Sequence, residues 1–262
     1  MTDRSCRVVA VANQKGGVGK TTTALNLAAG LAELDRRVLL IDMDPQGNST
    51  TGCGVELERH EATVCEVLLG EQSALELVRK LDALKFDLIP ANGDLTAAEV
   101  ALLELDDRAG VLKQELKPLL GTYHHIIIDC PPALNVLTLN ALTAADGILI
   151  PMQCEYYALE GLTALLNTIE QVQDSVNPQL QIDGLVRTMF DVRNNLSGAV
   201  SRQLQEHFGD KLFATVIPRN VRVAEAPSYG QSVIQYDRES RGAIAYLGLA
   251  GEYLRRCGGA RR

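Results

Sequence analysis

The 262-residue sequence has no tryptophan, four phenylalanines and seven tyrosines, which leaves little aromatic surface on which unpaired bases could stack. Its six cysteines (Cys6, Cys53, Cys65, Cys130, Cys154 and Cys257) form no C-x-x-C pair and have no histidine cluster beside them. Zinc and iron–sulfur sites therefore find no support. No secretory leader is evident, since the apolar run after Arg7 extends only from Val8 to Ala12. The longest charge-free stretch, Cys130 to Ala145, contains Pro131, Pro132 and two asparagines, which excludes a membrane span there. A low-complexity linker, a Pro/Ser tract and an internal repeat are all missing. The expectation is a reduced, cytoplasmic protein whose residues 1–262 form a single domain.

What is present is a globular composition, 46 % hydrophobic and 22 % charged. Val8–Ala12, Arg37–Asp42, Ile126–Asp129, Gly147–Pro151, Gln181–Met189 and Leu212–Ile217 read as strands. The first four are apolar at nearly every position. Between them lie helical patterns, such as Leu25, Leu27, Ala28, Leu31 and Leu34, or Leu159, Leu162, Leu165, Ile169, Val172 and Val176. Unalternating strands separated by amphipathic helices predict an α/β fold, a mostly parallel twisted sheet flanked by helices on both faces. Residues 50–109 are expected to form short helices inserted between the second strand and the Ile126 strand.

Lys15-Gly16-Gly17-Val18-Gly19-Lys20-Thr21-Thr22 follows a strand and opens a helix, the setting a phosphate loop requires. Glycines let the backbone N–H groups converge on phosphate oxygens, Lys20 reaches the β- and γ-phosphates, and the Thr21 hydroxyl suits Mg²⁺. The strict G-x-x-x-x-G-K-[ST] pattern fails because residue 14 is Gln, and an additional lysine, Lys15, opens the motif. Asp129 ends one strand, and Asp42 and Asp44 end another within Asp42-Met43-Asp44-Pro45-Gln46-Gly47-Asn48. A lone Asp at a strand end is usually a turn former or helix cap. Three of them at the carboxyl ends of parallel strands face one crevice, which makes the chain a P-loop NTPase by expectation.

These segments, with Asp129-Cys130-Pro131-Pro132, resemble the deviant-Walker-A ATPases of the ParA/MinD group. Gln153-Cys154-Glu155-Tyr156-Tyr157-Ala158-Leu159-Glu160-Gly161-Leu162 and the stretch Pro218-Arg219-Asn220-Val221-Arg222-Val223-Ala224-Glu225-Ala226-Pro227-Ser228 narrow the resemblance to the ParA/Soj chromosome-partitioning branch. It spans about Val8 to Leu254. The resemblance implies an ATP- and Mg²⁺-dependent ATPase whose nucleotide is sandwiched between two protomers. Lys15 would reach the partner's phosphates, Lys20 would act in cis, Asp44 would orient the attacking water, and Thr21, Asp42 and Asp129 would serve the metal. Residues 45–51 and 131–135 would be switch segments, and Met189, Pro218, Arg219 and Asn220 would wall the adenine. Further implications are a homodimer in the ATP state, non-specific double-stranded DNA as ligand, nucleoid association, and a ParB-like partner that stimulates hydrolysis.

The net charge of −8 argues at first against DNA. Its distribution reverses that argument: residues 186–262 carry twelve Lys/Arg against seven Asp/Glu, and all but Lys211 of the twelve are arginine. Arg193 and Arg222 resemble DNA-backbone contacts of Soj-type relatives, with Arg219, Arg187 and Arg202 as weaker candidates. No additional N-terminal helix-turn-helix domain is expected. Two alternatives share the chemistry: a MinD-like membrane-cycling ATPase, using Ile244–Arg256, and a positioner of non-DNA cargo. For Ile244–Arg256 a helix packed on the domain is the favoured reading, interrupted by Gly248 and Gly251. Other features receive structural roles: His124 and His125 at a turn or edge, Cys130 exposed to the switch region, and Tyr156 and Tyr157 packed on the sheet or a dimer interface.

Overall fold

Val8–Val11, Val38–Ile41 and Ile126–Ile128 are apolar at every position, a pattern suited to strands covered on both faces. In a computed structural model, which describes residues 6–156 and 158–257 and leaves out the side chains of 158–160, they lie at the centre of an eight-stranded sheet. Tyr157 and the terminal arginines 261 and 262, which entered the charge count, fall outside the described residues. The strands are β1 (Arg7–Val11), β2 (Val38–Asp42), β3 (Arg79–Leu81), β4 (Phe86–Ile89), β5 (His125–Asp129), β6 (Gly147–Gln153), β7 (Gln181–Phe190) and β8 (Leu212–Pro218). They are ordered β3-β4-β2-β5-β1-β6-β7-β8, and every pairing is parallel except the antiparallel edge pair β3–β4.

Alternate residues of the central strands feed two separate cores. Val8, Ala10, Leu39, Ile41, Ile126 and Ile128 face one side, under α3 (Val64–Leu68), α4 (Leu95–Leu103), α5 (Val111–Glu115), α6 (Val136–Ala144), α7 (Ala158–Ser175) and α8 (Asn195–Phe208). Val9, Val11, Val38, Leu40 and Ile127 face the other, under α1 (Lys20–Glu33), α10 (Val233–Tyr236) and α11 (Arg241–Cys257). Two further short helices, α2 (Asn48–Gly52) and α9 (Val221–Glu225), follow the carboxyl ends of β2 and β8. From β1 the chain crosses to β2 on one side, whereas β5 leads across β1 to β6 on the other. The ends of β1, β2 and β5 therefore meet at a topological switch point, where open α/β sheets bind ligands.

Several expectations need correction. Residues 50–109 are not helices alone: they also contribute β3 and β4, and β4 pairs in parallel with β2. Phe86-Asp87-Leu88-Ile89 is too short for its period to declare a strand. His125 is at neither a turn nor an edge; it begins the central strand β5, buried edge-to-face against Tyr253 with ring centroids 5.8 Å apart. Burial lowers its pKa to about 4. His124 does occupy a connection, where its Nδ1 accepts from Arg37 N at 2.9 Å.

Helix α11 runs through Gly248 and Gly251 without interruption, and it packs on the domain. Tyr246, Leu249, Ala250 and Tyr253 are all buried. Buried Glu252 accepts from Ala214 N and Thr215 N, both at 2.8 Å, and from Thr215 Oγ1 at 2.6 Å, pinning the helix to β8. Tertiary packing outweighs the roughly 1 kcal/mol that each helical glycine costs.

The α1–α11 contact is close because Gly30 has no side chain. A Cβ there would stand 2.8 Å from Ala250 Cβ and 3.3 Å from Tyr246 O. Gly30→Val is therefore expected to destabilise the fold by about 1–3 kcal/mol through overpacking. The shift of the urea midpoint at constant m-value measures it, and an unchanged midpoint would refute the close packing.

Candidate nucleotide site

Glycines at 17 and 19 take φ of +73° and +87°, conformations that an L-side chain rarely adopts. They turn residues 13–19 into a loop that ends at the N-terminus of α1, whose first residue is Lys20. The loop is braced from three directions. Asn13 Oδ1 accepts from Lys15 N at 3.0 Å, Asn13 Nδ2 donates to Pro151 O at 2.8 Å, and Thr188 Oγ1 donates to Val18 O at 2.7 Å. Gly16 and Gly17 stay exposed at its crest while Val18 is buried beneath. Unpaired backbone N–H groups at a helix start, combined with the helix dipole, favour an anion at this point.

The three carboxylates converge as expected. Register places Asp42 of β2 directly beside Asp129 of β5, and Asp129 beside Val11 of β1. Asp42 and Asp129 are fully buried. Thr50 N and Thr50 Oγ1 each donate to Asp42 Oδ2 at 2.8 Å, and Asp44 N donates to Asp42 Oδ1 at 3.1 Å. Ser49 Oγ donates to Asp129 Oδ2 at 2.9 Å, whereas Asp129 Oδ1 is buried without a hydrogen-bond partner. Burial raises the pKa of both groups; for Asp129 the charge of Asp42 raises it further, against the adjacent hydroxyls of Thr21 and Ser49. Asp44 follows at the start of the turn, where its Oδ1 accepts from Gln46 N at 3.0 Å.

Lys20 is only 7 % exposed, and its ammonium donates to Lys15 O at 3.2 Å. Burial lowers its pKa, opposed by Asp129, Cys130 and Asp44. Two buried carboxylates, a neighbouring hydroxyl at Thr21 and an orphaned oxygen on Asp129 form an all-oxygen donor set, which fits a hard divalent cation such as Mg²⁺. Lys15 points away from this cluster and pairs with Glu155 Oε2 at 2.5 Å.

Beside the loop opens a cleft of 810 Å³, lined among others by Gly19, Thr22, Met189, Pro218, Arg219 and Asn220. The residues expected to wall the base are thus brought together. Met189 takes φ of +48°, rare for a side-chain-bearing residue, and in that conformation sits over Gly19. Asn220 caps α9, its Oδ1 accepting from Val223 N at 3.2 Å. Arg193 also borders the cleft, clamped to Asp191 by Nε and a terminal nitrogen at 2.9 and 2.8 Å, which holds the Asp191 carboxyl well below the usual range. Arg222 pairs with Glu225 at 3.0 Å and Asp237 at 3.3 Å. Arg219 and Arg202 are exposed without an ion pair among the described residues.

Two side chains depart from expectation and a third narrows it. Arg187 is no surface contact: it donates to Ser201 Oγ and to the carbonyls of Phe213 and Ala214, a brace between β7, α8 and β8. Cys130 is buried, its thiol pushed up by burial and by Asp129. Tyr156 is 75 % exposed, which sets aside packing on the sheet and leaves the interface alternative. Ser49 and Thr50, grouped in the sequence only within a switch segment, are the direct supports of Asp129 and Asp42. Their hydroxyl character just past Asp42–Asn48 was the available signal.

A phosphate loop, strand-end carboxylates and a base-sized cleft on this sheet define a P-loop nucleotide-binding protein of the deviant-Walker-A class. A family model described as an AAA domain matches residues 6–182. The chain is 50 % identical over 258 residues to the chromosome partitioning protein ParA of Caulobacter vibrioides, covering 98 % of this chain and 97 % of that one. It is 51 % identical over 251 residues to the chromosome-partitioning ATPase Soj of Thermus thermophilus, at 95 % and 96 % coverage. A solved Mycobacterium smegmatis structure, described as cobyrinic acid a,c-diamide synthase with bound ATP analogue and magnesium, superposes with a TM-score of 0.85 at 40 % identity, covering 98 % and 97 %. The chain belongs to the ParA/Soj family of chromosome-partitioning ATPases.

The buried acidic pair sets the pH dependence of the ligand-free protein. Both carboxyls have folded-state pKa values above their unfolded ones, so their charges cost stability at neutral pH. That cost disappears as pH falls through the raised values towards about 4. In EDTA at pH 7.5, Asp129→Asn is expected to raise Tm by roughly 2–4 °C per kcal/mol of repulsion removed, with no gain near pH 4.5. Calorimetry of the two proteins across that range checks it; a gain independent of pH would contradict the charge argument.

Proposed function

We propose that this chain is an ATP-driven DNA-segregation switch whose residues 1–262 act as a single ATPase domain. ATP hydrolysis is the activity of its family. The observation that carries the reading is the convergence of Lys20, Thr21, Asp42, Asp44 and Asp129 at the ends of β1, β2 and β5, beside the cleft walled by Met189 and Pro218–Asn220.

In this reading the backbone of residues 16–19 and the Lys20 ammonium hold the β- and γ-phosphates. Thr21, Asp42 and Asp129 hold Mg²⁺, which when bound neutralises phosphate charge. Asp44 orients the attacking water, and positioning with charge neutralisation is most of what phosphoryl transfer requires. Lys15 leaves Glu155 to reach the phosphates of a second protomer, so ATP binding drives a sandwich homodimer. The dimer binds double-stranded DNA without sequence preference through Arg193, Arg222 and Arg219, and associates with the nucleoid in the cytoplasm. Each phosphate contact is doubled by the two-fold, which makes binding steeply salt-dependent. A ParB-like partner stimulates hydrolysis, the dimer separates, and the partition complex of a chromosome or plasmid advances.

Two rivals carry less support. In the membrane-cycling alternative α11 would need a free apolar face, whereas Tyr246, Leu249 and Tyr253 are buried against the domain. No helix among the described residues is long and apolar enough to cross a membrane. A non-DNA cargo would use the same ATPase, and the identities of 50–51 % to chromosome-partitioning relatives favour DNA.

Light scattering with ATP, under conditions that block hydrolysis, is expected to show a dimer for wild type and a monomer for Lys20→Ala. Asp44→Ala is expected to lower turnover by about 10²-fold or more. Arg193→Glu and Arg222→Glu should each dimerise normally yet lose retention of random duplex DNA at least ~10-fold, with a shallower salt slope. Monomeric wild type, or unaltered DNA retention in both arginine variants, would overturn the proposal.

A further inference from the structure

Val18 lies between two glycines of positive φ, Gly17 and Gly19. Glycine adopts either sign of φ at little cost, so nothing local to the loop prevents the Val18–Gly19 peptide from turning over. In a trans peptide the C=O and N–H point in opposite directions, and no cis peptide occurs among the described residues. One orientation offers the Gly19 N–H to an anion in the loop. The other offers the Val18 carbonyl oxygen, which repels it. A group outside the loop has to choose between them.

Thr188 of β7 is that group. It is buried, and its Oγ1 donates to Val18 O at 2.7 Å across a separation of 170 residues. With the carbonyl held on the β7 side, the Gly19 N–H is directed away from β7, and it has no acceptor among the described residues. The approach is close: a Cβ on Gly19 would lie 3.9 Å from both Cβ and Cγ2 of Thr188, and 3.7 Å from Met189 Cε. Only the hydroxyl of the Thr188 side chain can donate. A side chain of the same shape without it keeps the packing and loses the hold on the peptide.

The hydroxyl is aimed from a strand end that is itself fixed from several sides. Register places Thr188 beside Gln153 at the end of β6. Gln153 Nε2 donates to Met189 Sδ at 2.7 Å, and Met189 holds φ of +48°, a conformation that persists in a residue with a side chain only where its surroundings impose it. Phe190 O then accepts from Arg219 N at 3.2 Å, which joins the same strand end to the wall of the cleft. A donor fixed in this way before a ligand arrives spares the ligand the cost of ordering the peptide.

We infer that Thr188 is a positioning residue for phosphate binding: through Val18 O, its hydroxyl sets the Val18–Gly19 peptide with the N–H towards the phosphates of a bound nucleotide. The inference rests on the nucleotide-site reading above and adds to that site a residue of β7, remote in sequence from the loop it orders.

The test is titration calorimetry with MgATP and MgADP, alongside thermal melting, for wild type, Thr188→Val and Thr188→Ser. Thr188→Val keeps the branched shape that suits a buried strand and is expected to melt within about 4 °C of wild type. Its affinity for both nucleotides should fall at least ~10-fold, whereas Thr188→Ser, which retains the hydroxyl, should stay within about threefold of wild type. Thr188→Ala, which lacks the hydroxyl and cannot overpack, should show the same loss as the valine variant. Magnesium tripolyphosphate, titrated as a competitor, should weaken by the same factor because it has no base to seat. A loss confined to nucleotides would place the effect in the base wall and overturn the inference. So would wild-type affinity in the valine and alanine variants, or a serine variant that melts with the wild type yet recovers no affinity. A wild type that binds no MgATP would instead overturn the nucleotide-site reading itself.

Discussion

Two carboxylates buried side by side, Asp42 and Asp129, are the constraint around which this molecule is organised. Parallel register fixes them on neighbouring strands, out of water, where like charges are costly. The surroundings address that cost in part. Thr50 and the Asp44 amide satisfy Asp42, Ser49 satisfies one oxygen of Asp129, and buried Lys20 supplies positive charge nearby. One oxygen remains without a partner. A buried carboxylate oxygen without a partner is a standing electrostatic cost, which a bound cation would offset.

The same constraint explains why α2 matters although it is one turn long. Ser49 and Thr50 join it to both carboxylates, and Thr50 Oγ1 also accepts from Ala91 N at 2.9 Å. Gly47, with φ of +61°, brings the preceding turn so close to Ala91 that a Cβ would stand 2.8 Å from its carbonyl oxygen. Residues 45–51 therefore have little room to adjust independently of the carboxylates. The hydrogen bonds of Ser49 and Thr50 are the route that couples this turn to the carboxylates. Residues 131–135 offer the corresponding route on the other core, from Asp129 to the α6 start.

Charge is segregated along the chain in the same functional sense. Arg193, Arg219 and Arg241 border the cleft, and two exposed arginines of the last third are paired locally, Arg193 with Asp191 and Arg222 with Glu225 and Asp237. Exposed pairs of this kind are weak. The acidic excess resides in the nucleotide-binding portion, including the turn after α4. A net charge of −8 averages these two surfaces and describes neither.

The sequence by itself determined the phosphate loop, the carboxylates at strand ends, the mostly parallel sheet and the family. Each is a local pattern: glycines at fixed offsets, acids closing apolar runs, and unalternating apolar runs separated by stretches of period 3.6. Tertiary structure alone decided what depends on distant partners. Phe86–Ile89 became a strand because β2 offered it a parallel edge, and α11 ran through two glycines because β8 and α1 held it. His125 entered the core beside Tyr253, and Arg187 became a brace to Ser201 and the β8 carbonyls. Ser49 and Thr50 acquired their role only when β5 and β2 delivered Asp129 and Asp42 to them. Such roles follow from groups brought together across long separations, which local spacing does not encode.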